Sequence, residues 1–508
     1  MTTMNSMDWL AHHARTRPNK LAIRDLMDGR DLTYAEINER TNRLASALAR
    51  DFGVKPRDRV GVVSKNVSNI FEVQFACWKL GATFVPLNWR LAVPELAYIV
   101  GDCAPVVVFH GVEFADAVAQ LGVNQRVAWD ADASGRDAYE ELLRSSDTEY
   151  PANDNTLDTV LTIMYTSGTT GHPKGVIITH GMTLWNVVNQ TEPFRTGPTM
   201  VNIVVLPLFH TGGLNCFANP AFHYGGTNVM TGASFDPAFC LKVLSDPSIG
   251  VTHIQMVPAN YLFMSQQPAF DTSTFPHIVA AGVGGASPSN TLLDAWISKG
   301  VRLQQAFGMT ETGSMVMALP PEDCSRKIGS CGLSFIHNQL RIVDPDGNDV
   351  PRGEAGELWA KGPNMTPGYW NLPEVSASSI TDGWLHTGDA LRQDEDGYFY
   401  VVDRIKDIYI SGGENVSPAE IENVLYQLPS IAECAVIGVP DERWQEVGHA
   451  FIALKPGAAL DEQTVASHCV KNLAKFKVPK YVTFVDALPH NATGKILKRE
   501  LRGLHPGA

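Results

Sequence analysis

The sequence lacks any apolar run long enough to cross a membrane. A membrane-spanning helix needs about 20 consecutive apolar residues, and no stretch of the 508 residues has that character. The first residues mix polar and apolar side chains and contain no continuous apolar core of the kind found in secretory signals. We therefore predict a protein with no integral membrane segment, and we expect it to be cytoplasmic.

Basic residues are too few for a nucleic-acid-binding surface. Lys and Arg number 40 against 54 Asp and Glu, which gives a formal net charge of -14. Binding to a polyanion requires an extended basic footprint. The composition therefore predicts that the protein binds neither nucleic acid nor an anionic membrane surface, and that any phosphate it binds is held locally.

The eight cysteines lack the spacing of metal ligands or of a redox pair. They are scattered, form no CxxC pair and have no paired Cys/His spacing. Reduced structural thiols are the expectation for such a pattern. None of them lies in a recognisable nucleophile motif, which argues against a catalytic cysteine.

The residues that are present are typical of a loop-rich enzyme with several structural units. Hydrophobic residues make up 44% of the chain and charged residues 19%, with 43 Gly and 31 Pro. At about 150 residues a domain, the length indicates about three units. Internal repeats and low-complexity segments are absent from the sequence.

Short strand-like segments alternate with helical segments as far as about residue 300. Residues 34–49 have a helical pattern, whereas residues 202–207 and 278–283 resemble buried strands, each followed by a Gly-rich loop. This alternation predicts an α/β fold. In α/β sheets, ligands bind at such loops beyond the strand ends.

The pattern changes beyond residue 340, where Asp-Gly dipeptides between apolar segments indicate β-hairpins and a β-rich subdomain. A final α+β unit follows, with a helix opened by Ser417 and Pro418 and with Glu420 as the capping-box partner. We predict a large N-terminal domain over residues 1–405, built from α/β subdomains and the β-rich subdomain. Residues 406–508 are predicted to form a small, mobile α+β C-terminal domain.

Residues 165–176 read YTSGTTGHPKGV, a loop rich in glycine and hydroxyl groups between two strand-like segments. Glycine lets the backbone approach a phosphate closely, and backbone N–H groups with hydroxyls and a lysine supply donors. The loop does not match the Walker A pattern. On composition alone it could also be an ordinary surface loop. The residues that carry the phosphate-binding hypothesis are Thr166, Ser167, Gly168, Thr169, Thr170, Gly171 and Lys174.

With this loop and the motifs given below, the sequence resembles the adenylate-forming (ANL) superfamily, which includes acyl-CoA synthetases, carrier-protein adenylation domains and luciferases. The resemblance covers residues 32–501, and its motifs occur in the family's order. Besides the loop they are PLFHTGG at 207–213, GGA at 284–286, QAFGMTE at 305–311, GWLHTGD at 383–389, DRIK at 403–406, SGGE at 411–414 and GK at 494–495.

The resemblance implies a nucleotide site and a metal site. It gives Phe307 the role of stacking on adenine and Thr310 a phosphate contact. Glu311, together with Thr166, would bind Mg²⁺, which prefers one or two carboxylates plus phosphate oxygens. The chain departs from the usual family pattern at Ala306, where the family has Gly, and at Phe307, where it has Tyr. The remaining residues implied to bind ATP or AMP are Gly284, Gly285, Ala286, Gln305, Asp389 and Arg404.

The resemblance also implies a catalytic lysine on the C-terminal domain. Lys495 would neutralise the acid's carboxylate and the α-phosphate while they join, although a solvated lysine in a basic run is the alternative. Lys406 would be the hinge about which this domain rotates. The residues then brought forward to line the path of coenzyme A are Ser411, Gly412 and Gly413.

Together these features predict an acid–CoA ligase that uses ATP, Mg²⁺ and coenzyme A and forms an acyl-adenylate. His210 would stand between the nucleotide and acyl pockets; a core histidine is the alternative. Residues 207–213 hold no carboxylate for an amino-acid ammonium, and Asp236 before Pro237 is predicted to be a helix N-cap, so we expect a fatty or aryl acid. Because the chain ends soon after Lys495, we expect no attached carrier domain.

Two rival functions remain open on the sequence: a stand-alone adenylation enzyme that loads a carrier protein, and a non-catalytic nucleotide-binding relative. Thioester formation with free coenzyme A would exclude the first rival, and pyrophosphate release would exclude the second. The identity of the acid and the oligomeric state, a homodimer included, are also left open.

Overall fold

The structure is a computed structural model. It describes residues 4–131, 135, 137–150, 154–166, 172–232, 234–285, 288–405, 407–411, 414–441, 443–490 and 496–505, without the side chain of Asn415. Within these ranges, no helix combines the length and the apolar character needed to span a bilayer.

The strands occur throughout the chain. In chain order they are β1 Leu21–Asp25, β2 Asp31–Thr33, β3 Arg59–Val63, β4 Thr83–Leu87, β5 Val107–Gly111, β6 Gln125–Trp129, β7 Val160–Thr166, β8 Lys174–Thr179, β9 Val201–Val204, β10 Thr227–Met230, β11 His253–Met256, β12 Ala280–Val283, β13 Leu303–Phe307, β14 Met317–Ala318, β15 Leu333–Ser334, β16 Gln339–Val343, β17 Ala355–Lys361, β18 Ile380–Thr381, β19 Trp384–Gln393, β20 Phe399–Arg404, β21 Tyr409–Ser411, β22 Glu414–Val416, β23 Ile431–Asp441, β24 Gln445–Leu454 and β25 Tyr481–Val485.

The helices lie mainly before residue 300. They are α1 Trp9–Thr16, α2 Tyr34–Arg50, α3 Asn69–Leu80, α4 Val93–Cys103, α5 Ala115–Ala119, α6 Ala138–Arg144, α7 His180–Phe194, α8 Thr211–Gly213, α9 Asn219–Tyr224, α10 Pro237–Ser245, α11 Pro258–Ser265, α12 Asn290–Ile297, α13 Pro373–Ser379, α14 Pro418–Leu425, α15 Glu462–Asn472 and α16 Lys498–Arg502. A π-helical segment, Leu214–Ala218, joins α8 to α9. Short 3₁₀ helices are Val112–Phe114, Pro268–Thr272, Thr310–Thr312, Pro321–Asp323 and Lys475–Lys477.

Two mainly parallel sheets organise the first three hundred residues. One has the order β6-β5-β3-β4-β7-β8, and the other has the order β15-β14-β13-β12-β11-β9-β10-β1-β2. Antiparallel pairs occur only at their edges: β7 with β8 in the first, and β13-β14-β15 and β1-β2 in the second. Helices cover both faces of such sheets, and most residues of these strands are accordingly buried.

A large core lies around α2 and α3 and includes apolar side chains of both sheets. Tyr34, Leu44, Phe71 and Phe222 are fully buried in it. Helix α2 begins after Thr33, whose hydroxyl accepts from the Glu36 amide while the Glu36 carboxylate accepts from the Thr33 amide. This capping box satisfies two of the amide groups that a helix start leaves free.

The β-rich subdomain and the C-terminal unit are also present as predicted. Strands β16-β17-β19-β18, with β20 on β19, form one antiparallel sheet, and β22-β21-β24-β23, with β25 on β24, form another. The latter sheet, α14 and α15 share a separate small core. The predicted fold class is therefore confirmed, while the boundary at residue 406 stays a prediction.

The expected capping box at the start of α14 is wrong. Ser417 occupies the N-cap position but makes no capping hydrogen bond. Its hydroxyl instead donates to the Val402 carbonyl, and the amide of Ala419 donates to the carboxylate of Asp403 at 3.0 Å. Glu420 pairs with Lys477. The Asp403 carboxylate, from β20, thus caps this helix from 16 residues away, which the local sequence does not reveal.

Candidate active site

Three of the predicted motifs lie at the ends of neighbouring parallel strands. Strands β9, β11, β12 and β13 are parallel and adjacent, so their carboxyl ends meet at one edge of the sheet. The loop of His210 follows β9, Gly284 and Gly285 follow β12, and Glu311 follows β13. Such an edge is the usual ligand site of an open α/β sheet.

Two glycines in these loops are required by close backbone contacts. A Cβ on Gly308 would overlap the carbonyl oxygen of Ser314, and one on Gly213 would overlap that of Pro207. Each glycine therefore lets the loop fold back on its own chain. This explains why the loops containing His210 and Glu311 stay compact against the strand ends.

The segment from Gln305 to Thr310 is mostly buried. Gln305 is 3% exposed and donates from Nε2 to the Cys331 sulfur at 3.5 Å. Ala306 is buried in a core cluster, whereas Phe307 is half-buried and packs against the β-rich subdomain. Thr310 is buried at the start of a 3₁₀ turn. The Phe307 ring therefore keeps some accessible surface, and the side chain of Ala306 does not.

Glu311 is a buried carboxylate held by the segment that contains Tyr369. It is 7% exposed, and the Tyr369 hydroxyl donates to its Oε1 at 2.9 Å. The Thr366 amide donates to its backbone carbonyl at 2.7 Å. Burial raises the pKa of the Glu311 carboxyl, against the lowering effects of the Tyr369 hydrogen bond and of the charges of Arg404 and Lys174. Among the ion pairs between described residues, none involves Glu311.

The predicted phosphate loop connects two paired strands. Thr166 at the end of β7 lies opposite Lys174 at the start of β8. The Lys174 ammonium lies 5.0 Å from the centroid of the Tyr369 ring, and Tyr369 forms a β-bridge with Val176. Tyr369 therefore contacts both the strand that leaves the loop and the carboxylate of Glu311.

Asp389 and Arg404 face each other on neighbouring strands. They are register partners in β19 and β20, and the Arg404 Nε lies 2.9 Å from the Asp389 Oδ1. Asp389 lies inside the long strand β19, directly after Gly388, which has a φ of +70°. A positive φ at Gly388 interrupts the strand locally without ending it.

The His210 loop is fixed from the other sheet. Asn66, beyond β3, donates to the Leu206 carbonyl at 2.9 Å and accepts from the Leu208 amide at 3.0 Å. His210 caps α8, its Nδ1 accepting from the Gly212 amide at 3.1 Å. The imidazole is only partly buried, so it is not the enclosed core histidine considered above. Asp236 is the N-cap of α10, as predicted.

A cavity of about 200 Å³ lies beside this loop. Trp89 and Arg90, which follow β4, and Pro207, which follows β9, line it together with Glu433 and His490 of the C-terminal unit. The Arg90 guanidinium lies 4.4 Å from the Trp89 ring centroid, and burial lowers the pKa of Arg90. The cavity therefore brings together the ends of both large sheets and the C-terminal unit.

Of the residues predicted to line the path of coenzyme A, Ser411 is described and is buried in β21, opposite Glu414 and Gln445. Several other predicted site residues lie outside the described part of the chain, so their roles stay predictions. These residues are Ser167, Gly168, Thr169, Thr170, Gly171, Ala286, Lys406, Gly412, Gly413 and Lys495.

The sequence reasoning missed Asn66, Trp89, Arg90, Gln255 and Tyr369. The first three directly follow strands β3 and β4, so the rule that ligands bind beyond strand ends could have found them. Gln255 lies inside a strand and Tyr369 follows a turn, and neither position carries a local signal of function.

Two family models match this chain. The model described as "AMP-binding enzyme" covers residues 10–370, and the one described as "AMP-binding enzyme C-terminal domain" covers residues 420–495. The chain is 40% identical over 494 residues to a feruloyl-CoA synthase of an Amycolatopsis species, covering 97% of this chain and 98% of the relative.

It is also 39% identical over 509 residues to an indoleacetate–CoA ligase of Aromatoleum aromaticum, covering 99% of this chain and 98% of the relative. Among solved structures, ATP-bound MatB from Rhodopseudomonas palustris is similar, with a TM-score of 0.90, 32% identity and 99% of both chains covered.

Proposed function

Because the chain belongs to the family of AMP-binding enzymes and is an AMP-forming acid–CoA ligase, we propose that its acid substrate is an aryl carboxylic acid. The observation that carries the proposal is the cavity lined by Leu206 and Pro207 after β9, which has the aromatic rings of Trp89, Phe235 and Phe263 in its lining. The two named relatives, whose acids are feruloyl and indoleacetate, favour the same class over a fatty acid.

The phosphates of ATP would be bound by the glycine-rich loop and Lys174. Thr166 and Lys174 lie opposite each other at its base, and an ammonium there contributes a positive charge without a fixed bonding geometry. The Tyr369 ring supports that ammonium through a cation–π contact. Thr310, on the neighbouring loop, would add a hydroxyl.

The residues present fit a magnesium ion brought in with ATP. Glu311 offers one carboxylate and Thr166 a hydroxyl, and Mg²⁺ is typically held by one or two carboxylates plus substrate phosphates. The described residues contain no cluster of three or more His, Cys, Asp or Glu side chains that could bind a metal without the substrate. Glu311 and Thr166 would hold the ion, which would neutralise phosphate charge. The hydrogen bond from Tyr369 would fix the carboxylate of Glu311.

The nucleoside would lie between the strand-end loops and the β-rich subdomain. Asp389 is 5% exposed and can accept hydrogen bonds from ribose hydroxyls, with Arg404 beside it as a donor. Phe307 is proposed to stack on adenine. The other proposed contacts with the nucleotide are Gly284, Gly285, Ala286, Gln305 and Ala306.

The chemistry then consists of two displacements. The acid's carboxylate attacks the α-phosphate and pyrophosphate leaves; Lys495 would stabilise the two anions as they approach. The thiol of coenzyme A next attacks the acyl carbonyl and AMP leaves. His210 would separate the acyl pocket from the path of the thiol. After rotation of the C-terminal unit about Lys406, that path would be lined by Ser411, Gly412 and Gly413.

A panel of acids tests the proposal. The protein would be incubated with Mg-ATP, coenzyme A and matched sets of benzoic, cinnamic, arylacetic and fatty acids, with mass spectrometry of nucleotide and thioester products. We expect AMP, pyrophosphate and aryl-CoA. Thioesters from the fatty acids alone would refute the aryl assignment, and an acyl-adenylate that reacts only with a carrier protein would support the carrier-loading rival.

A further inference from the structure

A buried carboxamide in the middle of the larger sheet has no hydrogen-bond partner among the described residues. Gln255 lies in β11 and is 8% exposed. Its Oε1 is enclosed but accepts no hydrogen bond. Buried polar groups in proteins are nearly always paired, so each exception calls for an explanation.

Other buried carboxamides of this protein make at least one hydrogen bond. Gln304, two strands away and on the same face of the sheet, donates to the Pro193 carbonyl at 2.7 Å. Gln74, in α3, donates to Asn219 at 2.9 Å, although its Oε1 also accepts no hydrogen bond from a described residue. Within the described residues, Gln255 differs from these two because neither atom of its carboxamide forms a hydrogen bond.

A glycine provides the space that the Gln255 carboxamide occupies. A Cβ on Gly282, its register partner on β12, would overlap Oε1 of Gln255. Gly284, two residues on, is near the same carboxamide: a Cβ there would be at ordinary contact distance, 3.6 Å, from Nε2. A Cβ on Gly285 would lie 3.4 Å from Val257, which lines the cavity together with Leu206 and Pro207. The carboxamide is therefore next to the strand-end loop that faces the acid site.

We propose that Gln255 is a specificity-determining residue that accepts a hydrogen bond from an O–H or N–H group on the ring of the aryl acid. The inference rests on the proposed function, because it needs an aryl substrate. The enclosed oxygen calls for a donor, so a phenol, an arylamine or a ring N–H is the matching chemistry. A site built to pair with such a group rejects the analogue that lacks it.

The test compares matched acids in the full-length protein. Pairs such as 4-hydroxycinnamate and cinnamate, or aminobenzoates and benzoate, with the substituent at each ring position, would be ranked by kcat/KM. We expect the best donor-bearing acid to exceed its unsubstituted partner by at least about a hundredfold. In Gln255→Met, which keeps the side-chain length, that ratio should fall below about tenfold, mainly through the donor-bearing acid.

The matched control is Gln74→Met, which removes a buried carboxamide in α3 whose Oε1 is likewise unpartnered among the described residues and which lies outside the cavity lining, and it should leave the ratio unchanged. Gln255→Leu serves as a second variant, with thermal unfolding measured for all three. An unchanged ratio in Gln255→Met and Gln255→Leu would overturn the assignment, as would equal turnover of all aryl acids by the unmodified protein. Turnover of fatty acids alone would overturn the proposed function and this inference together.

Discussion

Two buried glutamates of this protein each accept a hydrogen bond from a tyrosine, yet their surroundings differ. Tyr139 donates to Glu72 at 2.7 Å, and Tyr369 donates to Glu311 at 2.9 Å. Glu72 also lies 2.9 Å from the Arg40 guanidinium and 3.7 Å from that of Arg30. Within the described residues, Glu311 forms no ion pair, and burial raises its pKa.

The difference is consistent with one structural carboxylate and one that is proposed to bind a ligand. The charge of Glu72 is neutralised inside the fold, which makes the group part of the core between α2, α3 and α6. Glu311 is also buried and also accepts from a tyrosine, but in the proposed function its neutralising cation arrives with the substrate. A hydrogen bond alone does not compensate a buried charge.

The first prediction tests the structural carboxylate. Glu72→Gln should lower the free energy of unfolding by about 3 kcal/mol, the lower end of the cost of breaking a buried ion pair, because Arg40 and Arg30 lose Glu72 but keep Glu140. Adenylate formation by the remaining folded protein should be unchanged. Denaturant titration together with pyrophosphate release measures both quantities. A selective loss of adenylation at unchanged stability would contradict the assignment.

Lys495→Ala asks whether the C-terminal unit supplies the positive charge that the acid and the α-phosphate need. Adenylation should slow by about two to three orders of magnitude, the cost of removing one donor that stabilises transition-state charge. Conversion of synthetic acyl-AMP to acyl-CoA should be spared, and stability should change by less than ~0.5 kcal/mol. Equal losses in the two half-reactions would count against this role.

Glu311→Gln is the counterpart of the Glu72 variant. Adenylation should fall by about a hundredfold, since several kcal/mol of metal-assisted charge stabilisation are lost. The free energy of unfolding at neutral pH should not fall, because a carboxylate with a raised pKa is destabilising when ionised in the fold. Parallel denaturation curves of the two glutamine variants decide the comparison. A drop in stability as large as that of Glu72→Gln would remove the contrast.

The tyrosines provide a matched pair of smaller changes. Tyr369→Phe should weaken Mg-ATP binding about tenfold in calorimetry, since a group that orients a metal ligand typically contributes 10–100-fold to affinity. ATP binding in the presence of a chelator should change little, because the Phe ring still supports Lys174. Tyr139→Phe, which breaks an equivalent hydrogen bond to Glu72, should leave both affinities unchanged. Identical behaviour of the two variants would rule out a positioning role for Tyr369.

The smallest effect concerns a third carboxylate, Glu433, whose partner is a histidine. His490 Nε2 lies 3.0 Å from Glu433 Oε1, and this hydrogen bond raises the pKa of His490 above 6.5. A raised folded-state pKa gives stability that is full below pH 6.5 and is lost as pH rises through the raised pKa. His490→Gln should remove a pH-dependent contribution of under about 1 kcal/mol. The measurement is the free energy of unfolding of both proteins at several pH values. The same dependence on pH in both proteins would disprove this contribution of His490.

Local signals were sufficient for the elements and for several motifs. Spacing, turn residues and capping chemistry predict the helix over residues 34–49, the strands on both sides of the glycine-rich loop and the helix cap at Asp236. The structure has each of them. These features depend on residues within one or two turns of each other.

Long-range pairings were not visible in the sequence. Tyr369 meets Glu311 across 58 residues, and Asn66 meets Leu206 across 140. The surroundings of Gln255 depend on the neighbouring strand β12, whose Gly282 lies against the carboxamide.

The place of β1 in the larger sheet has a consequence for biosynthesis. This strand, Leu21–Asp25, pairs in parallel with β10, Thr227–Met230. Ribosomes add roughly 5–20 residues each second, so the apolar first strand emerges on the order of ten seconds or more before its parallel neighbour exists. During that interval β2 pairs with one edge of β1 and helix α2 packs against one face, while the edge that later pairs with β10 stays open. The nascent chain is therefore expected to depend on chaperones until about residue 230 has left the exit tunnel.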